Sequence, residues 1–402
     1  MAIAARFARD IPSARSLWAR THVVPSAGRA TSWLLITLVV ALNTVGLVMV
    51  LSASSVQALR TEGSSWYFFN RQVLWTGLGV GALMVAARVD YRFWRRWAVP
   101  LMVVSLVLLV LVVTPGVGIE VAGSSRWLGF GSVRMQPSEL AKFAVLVFAA
   151  DLLARRADKM GNNRLTLRPV LTGFGAIAVL LLLQPDLGTT LVTGAMVFAV
   201  LFVAGVPVGT MAAGVSTAAV LTLALARSKA YRWRRMTAFL DPFADAGNTG
   251  YQAAQGLVAL EAGGWTGVGL GESRAKWGFL PAAHTDFIFA IIGEELGFVG
   301  AMTVIALFAG LAAVGVRIAV TAPDRFGTLL AAGITTWVSM QAFVNLGAVV
   351  GLVPITGVPL PLVSAGGSSL IIGMAALGIL LNISRQARVP KPRRQAKDEA
   401  RA

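Results

Sequence analysis

The sequence predicts an all-α polytopic membrane protein of about ten transmembrane helices, and both its composition and its long apolar segments indicate this class. Among its 402 residues, 56% are hydrophobic and only 13% are charged, whereas about a quarter of a soluble domain is charged. Apolar runs such as residues 98–114 approach the ~20 residues that a helix needs to cross a bilayer. These runs lack the period-two alternation of barrel strands, so a helical membrane domain is expected.

The apolar segments divide the chain into ten predicted spans. They are residues 33–53, 70–87, 98–114, 138–154, 167–183, 187–204, 207–226, 285–316, 327–350 and 363–384. One membrane domain, 33–384, therefore lies between a basic N-terminal tail, 1–32, and a basic C-terminal tail, 385–402, which is predicted to be disordered.

Most of the 35 lysine and arginine residues lie in five segments outside the predicted spans. The segments are 1–32, 88–96, 155–168, 317–325 and 385–402. An even number of spans places all five on the same side of the membrane. The positive-inside rule therefore predicts that both termini are cytoplasmic.

The residue types that are scarce exclude several classes of chemistry. There are no cysteines and only two histidines, His22 and His284, so disulfides, thiolate catalysis and metal sites rich in cysteine or histidine are not expected. The formal charge of +17 is typical of cytoplasmic loops that face anionic lipid. No nucleic-acid partner is expected.

Two outer segments, 115–137 and 227–284, are long for loops, and loops of this length usually carry function. The second begins with the basic stretch RSKAYRWRR, residues 227–235, which breaks the positive-inside rule. The favoured interpretation is an anchor on lipid headgroups, with Tyr231 and Trp233 at the interface. The alternative is a docking surface for an anionic substrate.

Four predicted spans begin on the outer face with a polar or glycine-rich motif. The motifs are RMQPSELAK at 134–142, QPDLGTT at 184–190, HTDF at 284–287 and SAGGSS at 364–369. Helix N-termini offer free N–H groups and a positive dipole end to a phosphate, and Pro137 and Pro185 suit a first helical turn. Each motif also has a structural interpretation, in which Glu139 and Asp186 complement a helix dipole, Asp286 caps a helix and the glycines pack closely.

Further charges indicate what these helix ends could bind. Glu139 and Lys142 are three residues apart and can pair on one side of a helix, and Arg126 carries five donors that match a pyrophosphate. With Asp286 as a proton acceptor, the set suits a lipid-linked pyrophosphate substrate. It suits an anion or lipid transporter equally well, and the residues alone leave both open.

The segments that carry these motifs resemble the SEDS family of peptidoglycan glycosyltransferases, typified by FtsW and RodA. The similar segments are 124–143, 184–192, 239–297 and 351–370. The resemblance implies ten helices with cytoplasmic termini in the bacterial cytoplasmic membrane, and polymerisation of lipid II into β-1,4 glycan strands at its outer face. The motifs FLDP, GLGES and IIGEELG favour the FtsW-like members of the division septum, with RodA-like elongation members as the close alternative.

The resemblance also implies roles for residues at matching motif positions. Asp286 is implied as the general base, which takes the proton of the acceptor sugar's 4-hydroxyl. That oxygen attacks the donor's anomeric carbon as undecaprenyl pyrophosphate leaves, and inversion in one displacement needs only one base. Arg126 and Lys142 are the implied partners of the pyrophosphate. The implied substrate-binding residues are Arg126, Glu139, Lys142, Asp186, His284, Thr285, Gln252 and Ser364.

The resemblance further implies a divalent cation, magnesium or manganese. Because the chain has no recognisable ligand set, the metal is expected on the substrate pyrophosphate, and no organic cofactor is expected. Two positions depart from the family's motifs: Ala282 stands where a glutamate is usual, and Ala365 stands where a tyrosine is usual. Neither change removes Asp286.

The expected partners are lipid II, the nascent glycan strand, membrane lipid, a class B penicillin-binding transpeptidase and other divisome membrane proteins. A lipid II flippase and a division scaffold without catalysis are the competing functions. Glu294 and Glu295 are expected ~12–13 Å beyond Asp286 along one helix at 1.5 Å per residue. They are then too deep to share its proton and are predicted to be structural or gating groups.

Overall fold

The computed structural model describes residues 27–121, 124–130, 133–207, 209–214, 216, 227, 233, 237–248 and 250–387. Its principal helices are α1 (Ala27–Glu62), α2 (Tyr67–Arg88), α3 (Trp94–Val113), α4 (Pro137–Arg155), α5 (Leu167–Leu183), α6 (Leu187–Ala204), α7 (Tyr251–Gly263), α8 (Ile288–Thr321), α9 (Arg325–Val349) and α10 (Gly367–Arg385). Its strands are β1 (Ile119–Val121), β2 (Ser124–Phe130) and β3 (Val133–Met135).

The predicted fold class, a polytopic all-helical membrane protein, is confirmed. Six helical segments are long and apolar enough to cross a membrane within the described ranges. They are Gly28–Glu62, Tyr91–Val113, Leu187–Ala204, Ile288–Thr321, Arg325–Val349 and Gly367–Arg385. Most of the predicted span 207–226 lies outside the described residues, so the count of ten spans stays a prediction.

Most of the basic stretch 227–235 also lies outside the described residues. Of its members, Arg227 and Trp233 are described, and the guanidinium of Arg227 lies 4.7 Å from the centre of the Trp233 ring. This contact fits both interpretations of the stretch, the lipid anchor and the docking surface, so each stays a hypothesis.

Helix α4 packs against five other helices, α3, α5, α6, α9 and α10. Most of its side chains are buried, including those of Glu139 and Lys142. Lipid does not drive helices together as water does, so close approach at small residues matters. At Gly333 of α9, for example, a Cβ would come within 2.1 Å of the Leu146 side chain in α4. Glu139 and Lys142 are therefore surrounded by protein and not by lipid.

The segment 115–137, predicted to be an outer loop, contains a three-stranded antiparallel sheet in the order β1-β2-β3, which the sequence did not predict. In it Ile119 of β1 pairs with Trp127 of β2. Strand β3 is followed directly by α4, where Pro137 occupies the first helical turn as predicted. The sheet packs on α3 and α4 through β2, the strand that carries Arg126.

Helix α8 is broken at Gly297, whose φ of 67° and ψ of −167° are not helical. Residues 288–295 before the break are all buried, whereas Phe298 and Val299 after it are more than half exposed. The prediction of a continuous helix over 285–316 is therefore wrong. The chain instead has a short buried helix before Gly297 and a longer helix after it, whose exposed face is apolar.

The loop after α7 supplies the hydrogen bonds that make this break stable. The N–H of Phe298 donates to the carbonyl of Gly264 at 2.9 Å, and the N–H of Val268 donates to the carbonyl of Glu294 at 2.9 Å. Backbone groups inside a membrane protein must be paired within the protein. These contacts come from residues about thirty positions away, so local periodicity could not predict them.

The two glutamates before the break hold the same loop in place. The Ser273 hydroxyl donates to the Glu294 carboxylate, and the Ser52 hydroxyl of α1 donates to the Glu295 carboxylate at 2.6 Å. Lys276 forms an ion pair with Glu295 at 3.5 Å. Both carboxylates are buried, and these contacts offset their desolvation, which is what a structural role requires.

We expect the substitution Gly297→Ala to destabilise the protein by at least about 2 kcal/mol. At positive φ and extended ψ, a conformation that almost only glycine adopts, an alanine costs about 1–3 kcal/mol, and a Cβ at Gly297 would lie 2.3 Å from the amide nitrogen of Gly267. Thermal unfolding in detergent, followed by tryptophan fluorescence, measures the change.

The matched control is Gly310→Ala in the same helix, where the nearest atom to a new Cβ is a Leu38 methyl at 3.4 Å. This exchange gains helix propensity and is expected to leave the melting temperature unchanged or raised. Equal melting temperatures for the two variants would contradict the structural role of the break.

Candidate active site

Asp286 lies in a tight turn, residues 281–287, directly before α8. The carbonyl of Ala282 accepts the N–H groups of Thr285 at 3.0 Å and Phe287 at 3.2 Å, and Ala282 itself has a φ of 55°. The cap position of α8 belongs to Phe287. Asp286 therefore precedes the cap, and two expectations are wrong: that it begins the helix, and that it is the N-cap residue. The predicted distance from Asp286 to Glu294 and Glu295 does not apply either, because it assumed that all three residues lie in one helix.

Three consecutive carbonyl oxygens of this turn, those of residues 284–286, each accept a hydrogen bond, two from the segment between α9 and α10 and one from α9 itself. The N–H of Ala365 donates to the first at 3.0 Å. The hydroxyl of Ser364 donates to the second at 2.6 Å. The Nδ2 group of Asn345, in α9, donates to the third at 2.7 Å. The turn is thereby held at three successive residues, by the segment 351–366 at two of them and by α9 at the third.

The carboxylate of Asp286 and the guanidinium of Arg126 both lie close to Gly357. A Cβ at Gly357 would lie 3.5 Å from Asp286 Oδ2 and 3.9 Å from Arg126 Nη1, and the φ of Gly357 is +72°. Both the space and the backbone conformation favour glycine at this position. The structure thus brings together the predicted base and one predicted cation, although they are 160 residues apart in sequence.

Arg126 is held by the junction between α5 and α6. Its Nε donates to the carbonyl of Gln184 at 3.2 Å, and its Nη2 donates to the carbonyl of Pro185 at 2.6 Å. Asp186 is the N-cap of α6, where its Oδ1 accepts the N–H of Thr189 at 3.2 Å. The prediction that Pro185 lies in the first helical turn is therefore wrong, because α6 begins after the cap.

Asp186 keeps one oxygen without a partner. Its side chain is buried, and its Oδ2 has no hydrogen-bond partner among the residues that the structure describes. An unpaired buried carboxylate oxygen is costly, so this atom could accept a donor from a bound sugar or from water. Its role in substrate binding stays a prediction.

Glu139 and Lys142 form the predicted ion pair, with 2.9 Å between Lys142 Nζ and Glu139 Oε1, and both side chains are at most 3% exposed. Lys142 also donates to Gln341 Oε1 at 2.9 Å. Its ammonium lies 5.0 Å from the centre of the Trp337 ring, a favourable cation–π distance. The Gln341 amide in turn donates to the carbonyl of Pro359 at 3.0 Å, so the pair is connected to the segment 351–366.

A cavity of about 20 Å³ lies beside this ion pair, large enough for a water molecule. Its lining includes Glu139, Gln341, Leu362, Ser364 and Leu370. Contact between Lys142 and a pyrophosphate stays a prediction, and it would require this buried pair to become accessible.

The remaining predicted residues surround the turn. The His284 ring packs on Phe68 with 4.7 Å between centroids, and burial lowers the pKa of His284 to about 4, so the imidazole is neutral at pH 7. Gln252 of α7 donates to the carbonyl of Pro281 at 3.1 Å. The Ser364 hydroxyl accepts the N–H of Leu360 at 2.8 Å, in addition to its bond to the turn.

Sequence reasoning missed two amides, Gln341 and Asn345, that organise the site. Both lie within the predicted span 327–350 and both are buried. Polar side chains inside an apolar span are expensive and usually have a role, so the signal was present. Which backbone groups they contact could not be inferred, because those contacts join distant parts of the chain.

The geometry supports proton transfer beside a bound anion. A carboxylate can accept a proton, and the neighbouring guanidinium carries donors suited to phosphate oxygens. Among the described residues no group of three or more His, Cys, Asp or Glu side chains is placed to hold a metal ion.

Comparison with known proteins identifies a family. A model of cell cycle proteins, named for FtsW, RodA and SpoVE, matches residues 32–389. A probable peptidoglycan glycosyltransferase FtsW from Geobacter metallireducens is 44% identical over 349 residues, which cover 86% of this chain and 92% of that protein. Stage V sporulation protein E from Bacillus subtilis is 41% identical over 88% of this chain and 97% of its own length.

Solved structures agree with this match. A chain from a peptidoglycan synthase complex, in which polymerization and crosslinking are coordinated, is 31% identical and superposes with a TM-score of 0.73, covering 88% of this chain and 97% of that chain. The rod shape determining protein RodA of Thermus thermophilus is 30% identical with a TM-score of 0.65 and the same coverage.

We expect Lys142→Met to destabilise the protein by about 3–5 kcal/mol, because it leaves Glu139 as an uncompensated buried charge. Thermal unfolding of the purified variant measures this loss. The control is the double variant Glu139→Leu with Lys142→Met, which removes both charges and should recover most of the stability. A double variant as unstable as the single one would show that the charge pair is not the cause.

The lowered pKa of His284 predicts acid-sensitive stability. The unfolded chain binds the proton near the ordinary value of about 6.5, and the folded chain only near pH 4. The contribution of neutral His284 to stability is therefore complete when the pH is above the pKa of the unfolded chain, and it is lost as the pH falls towards 4. Between pH 7 and pH 5 the loss from this group is about 2 kcal/mol.

The test compares His284→Phe with the unsubstituted protein, using tryptophan-detected unfolding at both pH values. Phenylalanine can keep the ring contact with Phe68 but cannot titrate. The variant should therefore lose less stability between pH 7 and pH 5, and an identical loss in both proteins would contradict the prediction.

Proposed function

Because this chain belongs to the family of cell cycle proteins that includes FtsW, RodA and SpoVE, we propose that it polymerises lipid II as a peptidoglycan glycosyltransferase. The relatives at 41–44% identity include proteins named for this activity, and they match most of this chain. The observation that carries the chemical step is the placement of Asp286 beside Arg126 at Gly357.

In the proposed reaction, Asp286 takes the proton of the acceptor sugar's 4-hydroxyl. The freed oxygen attacks the anomeric carbon of the donor sugar and forms the β-1,4 bond, while the bond to undecaprenyl pyrophosphate breaks. One inverting displacement needs a single base. Arg126 lies within reach of the same space and stabilises the departing pyrophosphate by charge-assisted hydrogen bonds.

In this proposal the divalent cation, magnesium or manganese, is bound by the pyrophosphate of the substrate. Pyrophosphate oxygens are good ligands for such hard cations, and the described part of the chain offers no three-residue ligand group. No step of the proposed proton transfer runs through the metal, and no organic cofactor takes part.

The setting is proposed as the bacterial cytoplasmic membrane at the division septum, with both termini cytoplasmic and the site on the outer face. Several relatives at 42–44% identity carry the name FtsW, which supports division over elongation. The similarity to a chain of a synthase complex supports a crosslinking partner, proposed as a class B penicillin-binding transpeptidase. The RodA structures are also similar, so an elongation role is the alternative.

We expect Asp286→Asn to lower the polymerisation rate by at least about 100-fold, since general bases typically contribute 10²–10⁴. The amide has the size of the carboxylate but cannot take the proton. The measurement is glycan-chain formation from labelled lipid II by the purified chain with its transpeptidase partner.

The control is Glu120→Gln, the same chemical exchange at an exposed position of β1, which should retain full activity. Full polymerisation by Asp286→Asn would overturn the assignment of the base. Transfer of lipid II across vesicles without any polymer would favour the flippase.

A further inference from the structure

Asn345 is a buried amide that bridges the two sides of the site. It is 2% exposed. Its Nδ2 donates to the backbone carbonyl of Asp286 at 2.7 Å and to the backbone carbonyl of Val358 at 2.8 Å. One side-chain group thus binds both the residue that carries the base and the residue that follows Gly357.

The two bonds join the backbone of Asp286 to the residue beside Gly357. Gly357 is the point at which Asp286 Oδ2 and Arg126 Nη1 meet, and Val358 is its neighbour. A donor shared by the Asp286 and Val358 carbonyls fixes the distance between the turn and this part of the chain. The other two bonds to the turn, from Ser364 and Ala365, hold the preceding residues and do not touch Val358.

We propose that Asn345 is a positioning residue for the glycosyl transfer: its amide sets the Asp286 carboxylate at the correct place beside Arg126. The inference rests on the proposed function, because it assigns Asn345 a role through Asp286. Both hydrogen bonds of the Asn345 side chain go to backbone carbonyls. Small displacements of a catalytic group can lower a rate by about 100-fold, so loss of this amide should act on turnover.

A second asparagine provides a matched control. Asn382 of α10 is also buried and makes two bonds to the backbone, since its Oδ1 accepts the N–H of Tyr91 at 3.0 Å and its Nδ2 donates to the carbonyl of Ala87 at 3.0 Å. It lies about 22 Å along α10 from Gly367, at 1.5 Å per residue. Its Oδ1 also accepts a bond from Gln386 Nε2 at 2.9 Å, so its loss removes at least as many bonds as the loss of Asn345, at the other end of α10.

The experiment measures initial polymerisation rates against lipid II concentration for the full chain with its transpeptidase partner, together with the melting temperature. The variants are Asn345→Ala, Asn345→Asp, Asn382→Ala and Asp286→Asn. We expect both Asn345 variants to lower kcat by about tenfold or more while KM stays within about twofold. Asn382→Ala should lower the melting temperature by about as much as Asn345→Ala does, while its kcat stays within about twofold of that of the unsubstituted protein.

Three results would overturn the positioning role: an unchanged kcat in both Asn345 variants, an equal loss of kcat in Asn382→Ala, or failure of both Asn345 variants to fold. The last would make Asn345 a structural residue. Asp286→Asn separates this inference from the function on which it rests. If that variant is inactive while the Asn345 variants are fully active, only the positioning role fails; if it is fully active, the assignment of the base fails.

Discussion

The hydrogen-bond demand of irregular backbone inside a membrane protein is the constraint on which this structure depends. Each unpaired N–H or carbonyl group away from water is costly, so non-helical chain at such depth must pair with other protein groups. The turn 281–287 and the segment 351–366 meet this demand by pairing with each other, through Ala365, Ser364 and the α9 residue Asn345. The same bonds fix the backbone of the turn that carries Asp286.

Buried charged side chains must likewise be paired within the protein. Glu139 is neutralised by Lys142, which also binds an amide and lies near an aromatic ring. Glu294 and Glu295 are instead surrounded by donors from the outer loop and from α1. All three carboxylates are compensated within the described structure, and Asp286 is the more accessible one, because its side chain is only partly buried. The three buried glutamates therefore hold helices and loops together, and Asp286 differs from them in its exposure.

What could be predicted from the sequence is what local composition decides. A helix in lipid needs only a long apolar run, so the helical membrane class could be predicted. The place of Pro137 and the pairing of Glu139 with Lys142 follow from short-range geometry. The turn at Asp286, the break at Gly297 and the role of Asn345 depend on partners far away in sequence. The proximity of Arg126 to Asp286 likewise arises only when the sheet, the α5–α6 junction and Gly357 come together.

The bond from residue 365 to the turn has a consequence for which amino acids can occupy that position. It is made by the main-chain N–H of Ala365, which alanine and the tyrosine of similar motifs supply alike. A change in the side chain at residue 365 therefore does not remove the hydrogen bond from its N–H to the turn. Proline is the one amino acid that this bond forbids, because it has no N–H to give.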